Sequence, residues 1–195
     1  MEETQFIQCF QQGNLKISEQ LFAALYDKYA LKAVRTAYLI TGNRQLAEDI
    51  LQETFLQCYT QLHTLKEPDK FQSWFYKILV RLCWHFNSRE KKKFKSEPFD
   101  ENLGRQANGS ANVEERLETS EEYVKLNQTI QQLSHPLREA IILYYFNDLS
   151  VKEIAEILGC FENTVKTRLY KARKKLKIEI EKFYGSQEKG VEVYG

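Results

Sequence analysis

Only 3 Pro and 8 Gly interrupt the 195 residues of this chain. That is about half the roughly 12% that these two residues usually supply. Sheet-rich folds need Gly and Pro at closely spaced turns. A chain this poor in them is confined to long helices joined by few connections, so the expected fold class is all-α. The apolar fraction, 43%, suffices for a packed core and sets the chain apart from disordered compositions. No apolar run approaches the ~18 residues of a membrane span, so no direct membrane insertion is expected. The N-terminus, MEETQFIQCF, starts acidic and lacks the basic-then-apolar order of a secretion signal, which predicts a cytoplasmic protein. Cys9, Cys58, Cys83 and Cys160 are widely separated and form no C-x-x-C. They read as thiols of a reducing compartment rather than a disulfide frame. The 3 His form no His-x-x-x-His pair, so no zinc site and no cofactor is expected.

Net charge is only +1, but it is unevenly distributed. Residues 77–96 carry seven Lys/Arg against one Glu. Residues 97–122 carry two Arg against eight Asp/Glu. Residues 163–182 carry eight Lys/Arg against two Glu. Two basic helices therefore flank an acidic stretch. That stretch contains Gly104, Gly109, Ser110 and several Asn, with little apolar periodicity, and reads as a linker. The predicted organisation is two small helical domains, 1–95 and 122–184, joined by a flexible acidic linker, 96–121, and followed by a tail, 185–195.

The helical pattern is read from apolar spacing. Ser18 is the expected cap of a helix reaching about Thr41, with Leu25, Tyr29 and Ala33 on one face. Gly42-Asn43 closes it and opens the next, Arg44 to about Leu62, whose apolar face includes Leu46, Ile50, Leu51, Phe55 and Cys58. Its opposite face carries Glu48, Asp49, Gln52 and Glu53. After the loop HTLKEP, Asp69-x-x-Gln72 resembles a capping box opening a helix to about Lys95. Farther on, Ser134 or His135 caps a helix with Pro136 in its first turn. Ser150 and Glu153 form an S-x-x-E box before VKEIAEIL, which ends at Gly159.

Residues 150–177 carry the strongest local signal. A short capped helix, a glycine turn and a longer basic helix make a helix-turn-helix. Ile154, Leu158, Val165 and Leu169 would pin the two helices together, with the small Ala155 at their crossing. The second helix leaves Asn163, Thr164, Lys166, Thr167, Arg168, Tyr170, Lys171, Arg173 and Lys174 for solvent or DNA. Its first turns would meet base edges and its later cations phosphates. The plainer alternative is an amphipathic helix with a solvated basic face. In the helix 71–95, Phe71, Phe75, Ile78, Leu79, Leu82 and Phe86 share a core arc. A second arc carries Trp74, Lys77, Arg81 and Trp84, with Tyr76 and Asn87 on its flank and Arg89 in the cationic end. Indoles interleaved with cations suit single-stranded nucleic acid, where bases stack and cations follow phosphates. Each Trp equally suits packing against a neighbouring helix. The carboxylates of 48–53 lack a His or Lys partner nearby, and no phosphate loop or nucleophile elbow appears. No enzymatic activity is expected.

In this order the pieces resemble the extracytoplasmic-function (ECF) group of bacterial sigma-70 sigma factors, over about residues 20–182. The resemblance rests on LYDKYALKAVRTAYLITGNRQLAEDILQETFLQCY, FQSWFYKILVRLCWHFNSREKKK and LSHPLREAIILYYFNDLSVKEIAEILGCFENTVKTRLYKARKKLK. It implies a protein that binds core RNA polymerase and directs promoter recognition. By similarity, Glu48, Asp49, Gln52 and Glu53 would face the β′ clamp helices, and the second domain would meet the β flap. Trp74, Tyr76, Lys77, Arg81, Trp84 and Arg89 would engage the −10 element. Asn163, Thr164, Lys166, Thr167, Arg168, Lys171 and Arg173 would engage the −35 element. The resemblance also implies an anti-sigma factor. The chain departs from the family at Arg81 and His85, where Asn and Asp are common, and at the turn Cys160-Phe161-Glu162-Asn163. The alternative function is a free-standing helix-turn-helix regulator that binds operator DNA without polymerase.

Overall fold

The computed structural model describes residues 15–94 and 121–191, with side chains described over 22–88 and 126–182. The linker and the last four residues fall outside that range. Seven α-helices and no strand occur among the described residues: α1 Leu15–Thr41, α2 Arg44–Gln61, α3 Phe71–Phe94, α4 Glu121–Gln131, α5 His135–Tyr145, α6 Val151–Leu158 and α7 Glu162–Val191.

The first three helices pack on one another around an aromatic centre. Phe75 of α3 lies 5.1 Å from Tyr29 of α1 and 5.3 Å from Phe55 of α2, ring to ring. Such tilted and edge-on pairs bring the positive edge of one ring to the negative face of another. The break between α1 and α2 forms as the sequence reads. Gly42 takes φ +76°, and the Asn43 side chain accepts from Leu46 N at 3.0 Å, capping α2. Ser18 lies within the first turns of α1 rather than at its cap. The Asp69–Gln72 capping box does not form either. A 3-10 turn over Pro68–Lys70 leads directly into α3 and uses backbone carbonyls for the first amides. Gln72 is thereby free to donate instead to the carbonyl of Asn147, at 3.1 Å.

Helices α4 to α7 form the second cluster. Ser150 and Glu153 make the full reciprocal capping box, and Gly159 ends α6 in the left-handed conformation. Ile154, Leu158, Val165 and Leu169 are all buried, and Ala155 sits buried at the crossing of α6 and α7. Tyr145 is exposed at the end of α5.

The two clusters are in contact. Helix α3 packs on α6, and α1 on α4 and α5. A polar seam runs along this boundary. Thr36 Oγ1 donates to Asn147 Oδ1 at 3.0 Å, Gln131 Nε2 to the Leu39 carbonyl at 2.8 Å, and Lys32 Nζ to Asp148 Oδ2 at 3.1 Å. Buried Arg138 spreads its guanidinium over the carbonyls of Ile130, Gln131 and Leu133 at the end of α4 and Ile40 at the end of α1. A cation is favoured there because both helices turn their negative dipole ends toward it. No helix among the described residues is long and apolar enough to cross a membrane.

Candidate nucleic-acid interface

The apolar stripe Val165, Leu169 and Ala172 seats α7 against α5 and α6. At 3.6 residues per turn this aims Asn163, Thr167, Tyr170 and Lys171 away from the core, with Lys166 and Arg173 on one flank. All six are exposed. Thr164 and Arg168 are half-buried on the other flank. Sequence reasoning left Phe161 out of the site. It stands in the turn at the head of α7 with 85% of its surface exposed, the most exposed large apolar side chain among the described residues. Tyr170 is similarly prominent. An aromatic at the start of a basic helix was the signal available in the sequence.

On α3, Arg81 and Trp84 are exposed, while Trp74 and Lys77 are half-buried. Trp74 leans on Phe71, with ring centroids 5.9 Å apart. Tyr76 lies in the core and not on the surface flank that helical spacing assigns it: its exposure is 0% and it packs edge-on against Phe75 at 5.4 Å. Burial pushes its phenol well above the ordinary tyrosine range, and the Asp148 charge of the second cluster pushes it further the same way. The Arg89 side chain lies outside the described residues. Trp84 has a partner that its spacing did not foretell. Its indole Nε1 donates to Glu139 Oε1 of α5 at 2.6 Å.

The third surface is the outer face of α2. Glu48, Asp49 and Gln52 are exposed and Glu53 is half-buried. Glu48 lies 3.5 Å from Arg44, and Glu53 accepts from Gln57 at 2.9 Å. Leu56, 58% exposed, follows one turn beyond Gln52 and Glu53. The face is therefore acidic, with the exposed Leu56 beside it.

A basic, outward-facing helix in a helix-turn-helix, together with a second helix bearing cations and indoles, places the chain in the class of helical helix-turn-helix DNA-binding proteins. Residues 25–93 match the family described as Sigma-70 region 2, and residues 123–176 match Sigma-70 region 4. The chain is 35% identical over 148 residues to the RNA polymerase sigma factor SigV of Bacillus subtilis, covering 76% of this chain and 84% of that one. It is 30% identical over 178 residues to the ECF RNA polymerase sigma factor SigW of the same organism, covering 85% and 91%. The chain belongs to the ECF sigma factors of the sigma-70 family. The fold also matches two solved structures. One is CnrH in complex with the cytosolic domain of CnrY (TM-score 0.63, 20% identity, covering 92% and 95%). The other is the sigma factor RpoE in complex with the anti-sigma factor NepR from Bartonella quintana (TM-score 0.60, 21% identity, covering 81% and 97%).

Proposed function

We propose that this chain binds core RNA polymerase and directs it to promoters, with α2 as the polymerase face, α3 as the −10 surface and α7 as the −35 surface. The observation that carries this reading is the pairing of a region 2 match with a region 4 match on a chain whose recognition helix points its polar residues outward. Asp49, Gln52 and Glu53, with Leu56 beside them, would dock on the β′ clamp helices. Lys166, Thr167, Lys171 and Arg173 would hold −35 duplex, and Arg168 would join them. Trp74, Lys77, Arg81, Trp84 and Arg89 would capture unstacked −10 bases. An anti-sigma factor, which could hold the chain at the membrane, is the proposed regulator.

The mechanism is binding, not bond chemistry. A base stacked on an aromatic side chain contributes about 1–3 kcal/mol. That compares with ~1.4 kcal/mol for a step of duplex stacking. Capture of one or two bases by the tryptophans is enough to bias the −10 duplex toward opening. Each DNA contact can be weak alone, because polymerase and the covalent linker hold both near their targets at high effective concentration.

The test is run-off transcription with sigma-free core polymerase on a fragmented genomic template. The expected result is a discrete set of transcripts that disappears with Asp49→Lys, which reverses charge on the polymerase face. Absence of transcripts together with no co-elution with core polymerase overturns the reading. Tight sequence-specific binding without polymerase would instead identify a free-standing regulator.

A further inference from the structure

Three polar side chains converge on a cleft of about 380 Å³ between α3, α5 and α7, and each has bonding capacity left over. Glu139 of α5 is 5% exposed. Its Oε1 accepts the Trp84 indole proton at 2.6 Å. No other hydrogen bond and no ion pair reaches this carboxylate among the described residues. A carboxylate offers about four acceptor positions, so most of this one stays unmet in a desolvated place. Burial accordingly raises its carboxyl above the ordinary range, while the Trp84 hydrogen bond and the charges of Arg168 and Arg138 oppose the rise. Arg168 of α7 and the amide of Asn87 on α3 also line the cleft. Neither side chain makes a hydrogen bond or ion pair among the described residues.

The rest of the lining includes apolar groups: the Trp84 ring, 38% exposed, with Pro136 and Leu158. A volume above about 300 Å³, apolar walls and a few convergent polar groups are the marks of a small-molecule site. Its occupant has to bring N–H donors to Glu139, a flat ring to Trp84 and an anion to Arg168. Guanine carries its ring N1–H and its 2-amino group side by side, a paired donor edge that matches a carboxylate. Adenine sets an acceptor nitrogen beside its amino group, so a lone pair would face Glu139. A phosphate on the sugar supplies the anion, which a guanidinium fork binds through two parallel hydrogen bonds.

We propose that this cleft binds a guanine nucleotide, with the base against Trp84, its donor edge on Glu139 and its phosphate on Arg168. Asn87 is placed to bond the base or the sugar. The site stands apart from the DNA roles proposed above, and its test uses the free full-length chain without polymerase or DNA. The probes are GMP, guanosine, AMP and inorganic phosphate, titrated by calorimetry. GMP should bind saturably at sub-millimolar concentration and about tenfold or more tighter than AMP, the discrimination that a paired edge contact gives. Because α3 belongs to one cluster and α5 and α7 to the other, GMP should also raise the thermal midpoint in proportion to its logarithmic concentration.

Two variants separate the base contact from the phosphate contact. Glu139→Gln keeps the shape and an acceptor for Trp84 but removes the charge, and should weaken GMP and guanosine alike by about tenfold. Arg168→Gln should weaken GMP by a similar factor and leave guanosine unchanged. If Glu139→Gln loses its helical circular dichroism, Arg168→Gln and the preference for GMP over AMP decide alone. No saturable heat and no thermal shift with GMP overturns the proposal. Equal binding of GMP and AMP, or GMP binding indifferent to Arg168→Gln, overturns it too, since bases would then only stack on an exposed indole. Displacement of GMP by an equal concentration of inorganic phosphate would reduce the site to an anion contact and overturn it as well. Failure of the transcription assay leaves this binding test untouched, because neither polymerase nor DNA enters it.

Discussion

Gly42 and Gly159 both hold left-handed backbone, at φ +76° and +61°, yet their surroundings differ. A Cβ at Gly42 would lie 3.1 Å from Gln131 Oε1, whereas a Cβ at Gly159 would meet nothing. Either Gly→Ala change incurs the left-handed penalty of about 1–2 kcal/mol. At Gly42 it also displaces Gln131 from the Leu39 carbonyl, a further ~1 kcal/mol. Gly42→Ala should therefore lower Tm by several degrees more than Gly159→Ala, at about 2–4 °C per kcal/mol. Thermal melts followed by circular dichroism check this, and equal losses would refute it. The buried thiols offer a second measurement. Burial pushes Cys58 up to about 12, and Cys83 rises for the same reason. Both should resist thiol reagents near pH 8 until the chain unfolds. A raised thiol is protonated in the folded state where the unfolded one has ionised, so its contribution is lost as pH rises above the ordinary 9.0 toward about 12. Cys58→Ala should flatten the fall in stability over that window, as read by urea midpoints. At the head of α7, Phe161 is too exposed to matter for folding. Phe161→Ala should leave Tm unchanged and weaken −35 duplex binding, since an aromatic there can lie on a thymine methyl.

Among whole elements, the end of α4 depends most on a single side chain. Arg138 serves carbonyls at the ends of two helices from opposite clusters. Burial holds its guanidinium below the ordinary arginine value, with Glu139 opposing that. Lys presents a point charge in place of a planar fork, so Arg138→Lys should recover only part of the bonding. Arg138→Met leaves the carbonyls bare and should cost about 3–5 kcal/mol in urea unfolding. A loss under ~1 kcal/mol in Arg138→Met would mean that water replaces the guanidinium freely. At this scale much was legible in the sequence. The Gly42-Asn43 break, the Ser150–Glu153 box and the α6–α7 turn formed as read, because each is specified by residues within four positions of one another. The Asp69–Gln72 box failed because its partner choice was tertiary. Gln72 bonds to Asn147, 75 residues away, and nothing local announces that. Tyr76 failed for the same reason: helical spacing placed it on a flank, and the second cluster covers it. Arg138 and Glu139 did leave a trace, two charges inside the apolar run LREAII, which a core helix tolerates only when both are paired.

For the whole molecule, the length of covalent chain between the clusters becomes decisive. Local patterns gave two helical units but not their contact, because a seam of ordinary polar residues looks the same in sequence as a solvated surface. The halves share one boundary in the structure, whereas on the proposed promoter reading, surfaces engaged on elements about 25 base pairs apart stand ~85 Å from each other at 3.4 Å per pair. The residues 95–120 reach at most about 90 Å when fully extended, at ~3.5 Å each, so little slack exists beyond the width of the helical units themselves. Removing about ten of them subtracts ~35 Å of reach while touching no residue of either cluster. The shortened chain should keep its helical dichroism, its compact scattering and its co-elution with core polymerase. It should lose run-off transcription from promoters that need both elements, while restoring the length with an unrelated flexible acidic stretch should bring the transcripts back. Undiminished transcription from the shortened chain would mean that the two surfaces act without being held on both elements at once, and the division of labour between α3 and α7 would have to be redrawn.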